Sequence, residues 1–311
     1  DLAYALVESR PDSALALMKH IDQEGLSKEE MAKYALTYYI AQDKSGLDLD
    51  NDSLIRIAYD WYEGHQEDSL YVLCLNYMGK FYLLVDSMEQ AKSCLEKAYF
   101  ISDSLHKMNV KRLVLDKLIE VEEQLEPYRA LRYAKALVKM YDSMANVTIY
   151  NKVAARLRLG ENFFYVDSLQ HALEEERKAY RMAMKAGDSN LLSYVRQNLA
   201  STFEEIGEKD SCLYYARLAY DLNAANRFSC LLTFASAYIS VDSLNQAFSL
   251  LNQAMPKTAE DRYSVFYFQS QAAMKAHDFK SAKSFSDSAY HYLEDMYRTA
   301  LQGKAAYYTS F

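Results

Sequence analysis

The chain has 311 residues, half of them hydrophobic, and a formal charge of −8. This excludes a surface built to neutralise phosphates, because Lys and Arg alternate with acids along the same segments and form no basic stripe. Eight Gly and three Pro are too few turn-formers for many strands and hairpins, so helices joined by short polar turns are expected.

Residues 1–70 carry helical periodicity. Asp1-Leu2-Ala3-Tyr4 begins within a helical pattern, and Arg10-Pro11-Asp12-Ser13 places a proline where a helix can start. Ala14 and Ile21 then keep a seven-residue step. Met31 to Lys44 and Ser53 to Glu63 read as an antiparallel pair around the polar stretch from Ser45 to Asp50.

From residue 71 to 292 a repeat emerges. One register recurs six times: a small residue is followed twelve positions later by a second and seven after that by a third in five sets, and the remaining set keeps the spacing with leucines at its first and third places. The sets are Gly79, Ala91, Ala98; Leu118, Ala130, Leu137; Gly160, Ala172, Ala179; Ala200, Cys212, Ala219; Ala235, Ala247, Ala254; and Ser270, Ala282, Ala289. Two antiparallel helices approach closely only where neither carries a large side chain, and seven residues are two helical turns. Large apolar residues precede the first member (Met78, Leu159, Leu199, Phe234), and aromatics follow three positions after it (Tyr82, Phe163, Phe203, Tyr238). The second members are spaced by 39, 42, 40, 35 and 35 residues. Asp-Ser recurs at 12, 52, 68, 86, 103, 142, 167, 188, 210, 242 and 287, mostly before an apolar-periodic segment, as expected for side chains capping a first helical turn.

These residues resemble the tetratricopeptide repeat, and Leu75-x-x-Met78-Gly79-x-x-Tyr82 with Ala91, Leu95 and Ala98 is the closest copy. The resemblance implies an all-α, right-handed superhelical solenoid of antiparallel helix pairs. Residues 1–70 would form degenerate first repeats or a cap, 71–292 six pairs, and 293–311 an extension of the terminal helix, in one continuous solenoid.

Chemistry is not evident. The six histidines (His20, His65, His106, His171, His277, His291) form no i, i+4 pair, and Cys74, Cys94, Cys212 and Cys230 lie too far apart in sequence for a metal motif, reading as small core residues. No phosphate loop, nucleophile elbow or metalloprotease helix occurs. The acid runs Glu174-Glu175-Glu176 and Glu122-Glu123 read as solvated helix faces. No cofactor, metal or catalytic residue is therefore expected, and a helical-barrel glycosidase is disfavoured by the single tryptophan, Trp61, and the short turns.

Some of the 28 tyrosines fall in the repeat register as core, whereas Tyr194 and Tyr267 fall on the face of the first helices that lines the inner curve in tetratricopeptide arrays. Carried along the chain, that face includes Asn76, Lys80, Leu83, Arg112, Leu115, Ile119, Leu157, Glu161, Phe164, Tyr194, Gln197, Ser201, Leu232, Ser236, Tyr267, Gln271 and Met274. It lacks the concentrated Lys, Arg and Asn set by which some members of that family clamp a peptide carboxylate. The expected partner is a protein or peptide, bound as an extended segment or a helix.

Two phrases, Arg10-Pro11-Asp12-Ser13-Ala14-Leu15 and Asp52-Ser53-Leu54-Ile55, resemble a bacterial family in which such repeats precede a coiled coil, a membrane helix and sometimes a DNA-binding tail. That resemblance implies a sensory or interaction region facing the periplasm, with membrane and nucleic-acid contacts made by segments other than these. The competing expectations are an outer-membrane nutrient (glycan)-binding lipoprotein on a similar scaffold and, for location, the cytoplasm. No apolar run is long enough to span a bilayer, and the chain is expected to be soluble and a piece of a longer protein.

Overall fold

The computed structural model describes residues 2–47, 49, 52–66, 69–104, 108–222 and 224–309. Asp1, Asp48, Asp50, Asp68, His106, Ser310 and Phe311, which entered the sequence reading, lie outside these. Among the described residues there are sixteen helices and no strand.

They divide into two compact units. The first runs up to Tyr133 and includes the end of the last helix from Gly303; the second is Ala134–Gln302. The division falls within a helix near the middle of the chain.

The first unit holds α1 (Leu2–Leu6), α2 (Pro11–Met18), α3 (Lys28–Lys44), α4 (Ser53–Tyr62), α5 (Ser69–Leu84), α6 (Met88–Ser104) and α7 (Met108–Leu125), and leads into α8 (Pro127–Ser143). The second holds α9 (Ile149–Tyr165), α10 (Leu169–Ala186), α11 (Ser189–Ile206), α12 (Lys209–Tyr220), α13 (Arg227–Ser240), α14 (Leu244–Leu251), α15 (Ala259–Lys275) and most of α16 (Phe279–Thr309). Consecutive helices pair: α3 with α4 and α5 with α6 in the first unit, α9 with α10, α11 with α12 and α13 with α14 in the second. Within the second unit the first helices of successive pairs also touch, α9 on α11, α11 on α13 and α13 on α15, so they share one face.

The small-residue register is the seam between paired helices. All eighteen members are buried except the half-buried Ala254 and Ser270. A Cβ on Gly79 would sit 2.6 Å from Leu95 Cγ, so only glycine admits α6 this close. In the last pair Ser270 Oγ donates to the Ala282 carbonyl at 3.1 Å, across the same twelve-residue step. Ala14 is fully buried, but Ile21 lies beyond the end of α2 and is 40 % exposed, so the step expected there is not continued by the helix.

The turns between paired helices correct the capping expectation. Asp86, Asp167 and Asp242 have φ of 54°, 57° and 61°, in the left-handed region, as do Gly207 and His277 at the equivalent places. Each closes its helix by the same two backbone bonds: Asp167 N to Phe164 O (2.9 Å) and Ser168 N to Phe163 O (2.8 Å), and likewise Asp242 N to Ile239 O (3.2 Å) and Ser243 N to Tyr238 O (2.9 Å). This is a Schellman closure, in which Asp is among the few non-glycine residues that tolerate φ > 0. The serines after them, Ser168 and Ser243, precede the next helix without a side-chain cap. Asp188 does act as expected, accepting from Leu191 N at 3.0 Å.

Candidate interaction groove on the second unit

One stripe of each first helix faces the shared side of the second unit. Leu157, Glu161 and Phe164 lie on α9, Tyr194, Gln197, Asn198 and Ser201 on α11, Leu232 and Ser236 on α13, and Tyr267, Gln271 and Met274 on α15. Spacings of three and four residues keep each set on one side of its helix.

Adjacent stripes are tied by polar contacts. Asn198 Nδ2 donates to Glu161 Oε1 at 3.0 Å, joining α11 to α9. Asn226 Nδ2 donates to Gln197 Oε1 at 3.0 Å, and Gln197 Nε2 donates to Ser229 Oγ, joining α11 to α13. Ser193 Oγ donates to Asn226 Oδ1 at 2.7 Å, and Ser236 Oγ to Glu204 Oε1 at 2.8 Å. Burial raises the Glu204 carboxyl, and the Ser236 bond pulls it back.

Between these ties sit large exposed side chains: Tyr194 is 45 % exposed, Tyr267 42 % and Met274 53 %. Tyr267 stacks on Tyr263 with ring centroids 6.0 Å apart, which fixes its ring. Exposed aromatics held rigidly lose little entropy on binding, and they are the side chains on which interfaces concentrate their energy. Leu157, by contrast, is 8 % exposed and belongs to the core beneath the stripe.

In the first unit the expected residues do not make an open face. Asn76, Leu115 and Ile119 are buried, and Lys80 spends its ammonium on Asp43 of α3. Arg112 is half-buried on α7. First-helix stripes here pack against neighbouring helices, as α5 does on α7.

The chain matches no family model, and no curated protein sequence matches it. Solved structures are more informative. The apo form of RapI superposes with a TM-score of 0.72 at 13 % identity, covering 94 % of this chain and 84 % of that one. A signal-transduction ATPase of the STAND type from Pyrococcus horikoshii, with a tetratricopeptide repeat sensor, gives 0.67 at 12 % over 96 % of this chain, which spans only 46 % of that protein. A Rap protein complexed with Competence and Sporulation Factor gives 0.62 at 14 %, with 97 % of both chains covered. The fold is tetratricopeptide-like. Identities this low establish the architecture alone.

Within this tetratricopeptide-like frame the reading of the acid runs needs correcting. Successive residues on a helix point about 100° apart, so three acids in a row do not share one face. Glu174 is exposed, Glu175 pairs with Arg156 (2.8 Å) and Lys178 (2.6 Å), and Glu176 is turned inward at 2 % exposure. It continues the stripe of Ala172, Ala179 and Ala183, all buried. Glu122 is likewise fully buried, but Lys92 (3.4 Å) and Arg129 (3.1 Å) neutralise it.

Glu176 has no such partner. Its Oε1 accepts from Thr202 Oγ1 at 2.7 Å, and its Oε2 is buried with no hydrogen-bond partner among the described residues. Burial pushes its carboxyl up to about 7; the Thr202 bond opposes the rise and the charge of Glu161 adds to it. Gly160 makes room for it, since a Cβ there would lie 3.1 Å from Glu176 Cγ.

The remaining titratable candidates are structural. Burial raises all four thiols, Cys94 to about 11 and Cys212 to about 12, so none is a ready nucleophile at neutral pH. His65 stacks on Trp61 at 4.4 Å and His171 on Phe163 at 5.1 Å, each against a single ring. Among the described residues no group of three His, Cys, Asp or Glu side chains is placed to hold a metal ion.

Proposed function

We propose that this chain is a protein-interaction scaffold whose second unit receives a polypeptide along the stripes of α9, α11, α13 and α15, without catalysing a reaction. The observation that carries this reading is the pair Tyr194 on α11 and Tyr267 on α15, both exposed on the first-helix stripes either side of α13. Polar groups on the same stripes, Ser201 and Gln271, suit the backbone of an extended segment. The Rap protein bound to Competence and Sporulation Factor is a precedent for a partner held by this architecture.

In the finer form of the proposal, the chain is the periplasm-facing interaction region of a membrane-anchored bacterial protein. The phrases at Arg10–Leu15 and Asp52–Ile55 support it. No helix among the described residues is long and apolar enough to cross a membrane, so an anchor would lie elsewhere.

The test is crosslinking and affinity capture with the purified chain, followed by quantitative binding of the captured partner to Tyr194→Ala and Tyr267→Ala. Truncating an interface anchor costs about 2 kcal/mol, roughly thirtyfold in affinity. A partner that binds both folded variants with unchanged affinity refutes the groove. Fractionation of the full-length protein in its native cell tests the location, and a cytosolic pool would refute it.

A further inference from the structure

Where α9 meets α11 the second unit opens into a pocket of about 190 Å³, lined by Glu161, Phe164, Glu176, Asn198, Ser201 and Thr202 among others. It joins α9 and α10 to α11, all within the second unit. Small-molecule sites usually enclose about 300–1,000 Å³, so this pocket is the size of one side chain rather than of a metabolite.

Its chemistry is one-sided. Two carboxylates line it, while the remaining polar groups are an amide and hydroxyls. Glu161 is already served: Asn198 donates to one oxygen, and Arg158 Nη1 stands 3.9 Å from the other. Glu176 is not, because only Thr202 serves it and its second oxygen is left without a donor, at 2 % exposure. A buried acceptor left unmade costs free energy that a ligand supplying the missing donor recovers. An anion is repelled by both carboxylates, and the metal alternative lacks a third ligand.

We propose that this pocket receives the cationic side chain of a partner polypeptide, a lysine or an arginine, with Glu176 as its buried counter-charge. The aromatic walls, Phe164 and Tyr165, suit the aliphatic stem of such a side chain, whose charged head then lies against the Glu176 carboxyl that lines the pocket. The assignment rests on the reading that the face binds a polypeptide, and it names one chemical feature that polypeptide must carry.

Binding is then linked to a proton. The groups facing Glu176 from the helices packed on α10 are Glu161 on α9, with Arg158 behind it, and the neutral Asn198, Ser201 and Thr202 on α11. On α10 itself, Glu175 is committed to Arg156 and Lys178, and Arg177 lies over the Phe203 ring. A cation favours the ionised carboxylate, so affinity rises with pH until Glu176 is fully ionised. With half-ionisation at about 7, the ionised fraction changes about tenfold between pH 6 and 8.

The experiment is an NMR titration of the whole chain, with glutamate carboxyl carbons labelled and the Glu176 signal assigned by Glu176→Gln. The probes are Ac-Gly-Gly-Lys-Gly-Gly-NH2 and its arginine and norleucine counterparts, each at pH 6 and pH 8. The proposal expects the lysine or the arginine peptide to shift the Glu176 signal, to bind about tenfold more tightly at pH 8, and to lower the pH at which Glu176 titrates. It expects the norleucine peptide and the folded Glu176→Gln variant to bind at least tenfold more weakly. Equal binding of norleucine, affinity that falls as pH rises, or no response to either cationic peptide overturns it. A cation-specific response with no effect of Tyr194→Ala or Tyr267→Ala on partner binding would instead sink the groove and leave the pocket standing.

Discussion

Replacing Glu176 by glutamine tests the electrostatics of the second unit without a ligand. The carboxyl titrates near 4.5 when exposed and at about 7 in the folded chain, because burial disfavours its charge. The folded state therefore holds this proton more tightly than the unfolded state does. The sign follows: the stability contributed by the neutral acid is fully present below about pH 4.5 and is lost as pH rises through about 7. About two and a half pH units at about 1.36 kcal/mol each amount to roughly 3 kcal/mol lost between pH 4.5 and pH 8. At 2 % exposure, solvent screening takes little from this. Glutamine keeps an oxygen for the Thr202 hydroxyl and has no charge to bury. Glu176→Gln should thus match the parent near pH 4 and exceed it by roughly 3 kcal/mol at pH 8. Urea unfolding followed by circular dichroism at several pH values gives the comparison, since groups common to both chains cancel in the difference. Two parallel stability–pH curves would refute the reasoning and place Glu176 in contact with water or a cation.

The turn and seam geometries give two further predictions. Asp167→Val should cost about 1–2 kcal/mol in thermal unfolding, because a β-branched residue is a poor fit to φ of 57°, whereas Asp167→Gly should be close to neutral. Gly79→Ala should cost about 1–3 kcal/mol by driving Leu95 from its place, and in a double-mutant cycle with Leu95→Ala the two losses should sum to more than the double variant shows; strict additivity would mean the contact does not exist.

Much of this fold is legible in the residues because it is set by backbone proximity. Gly79 opposite Leu95, Gly160 opposite Ala172 and Glu176, and Ser270 opposite Ala282 are places where helix axes come together, and only small side chains permit that. The helix pair α5–α6 and the three pairs from α9 to α14 follow from it, while α3–α4 was legible from helical periodicity alone. The turns were legible in position but not in mechanism. Asp-Ser reads as a capping pair, yet at 86, 167 and 242 the aspartate serves through its tolerance of left-handed backbone, which composition does not distinguish from side-chain capping. The division at Tyr133 leaves no mark in the small-residue register, which continues through Ala130 and Leu137.

The proposed binding face was legible only where side chains depart from packing by exposure, as at Tyr194 and Tyr267. Glu176 departs the other way. Four residues after the second small residue of each repeat the chain places Leu95, Ala134, Glu176, Ala216, Leu251 and Ser286, so a single repeat puts a charge at this register position. The local sequence reads the run of three glutamates as a solvated face, but the third of them lies at a register position that is buried, and the structure places it in the core. Glu122, buried in the first unit, meets the same conflict with two cations and is settled by pairing. Glu176 meets it with a single hydroxyl, and its burial disfavours the charged form at neutral pH. Where folding would be better served by leucine or alanine, as in four of the other five repeats, the proposed cationic side chain gives this carboxylate the partner that packing does not.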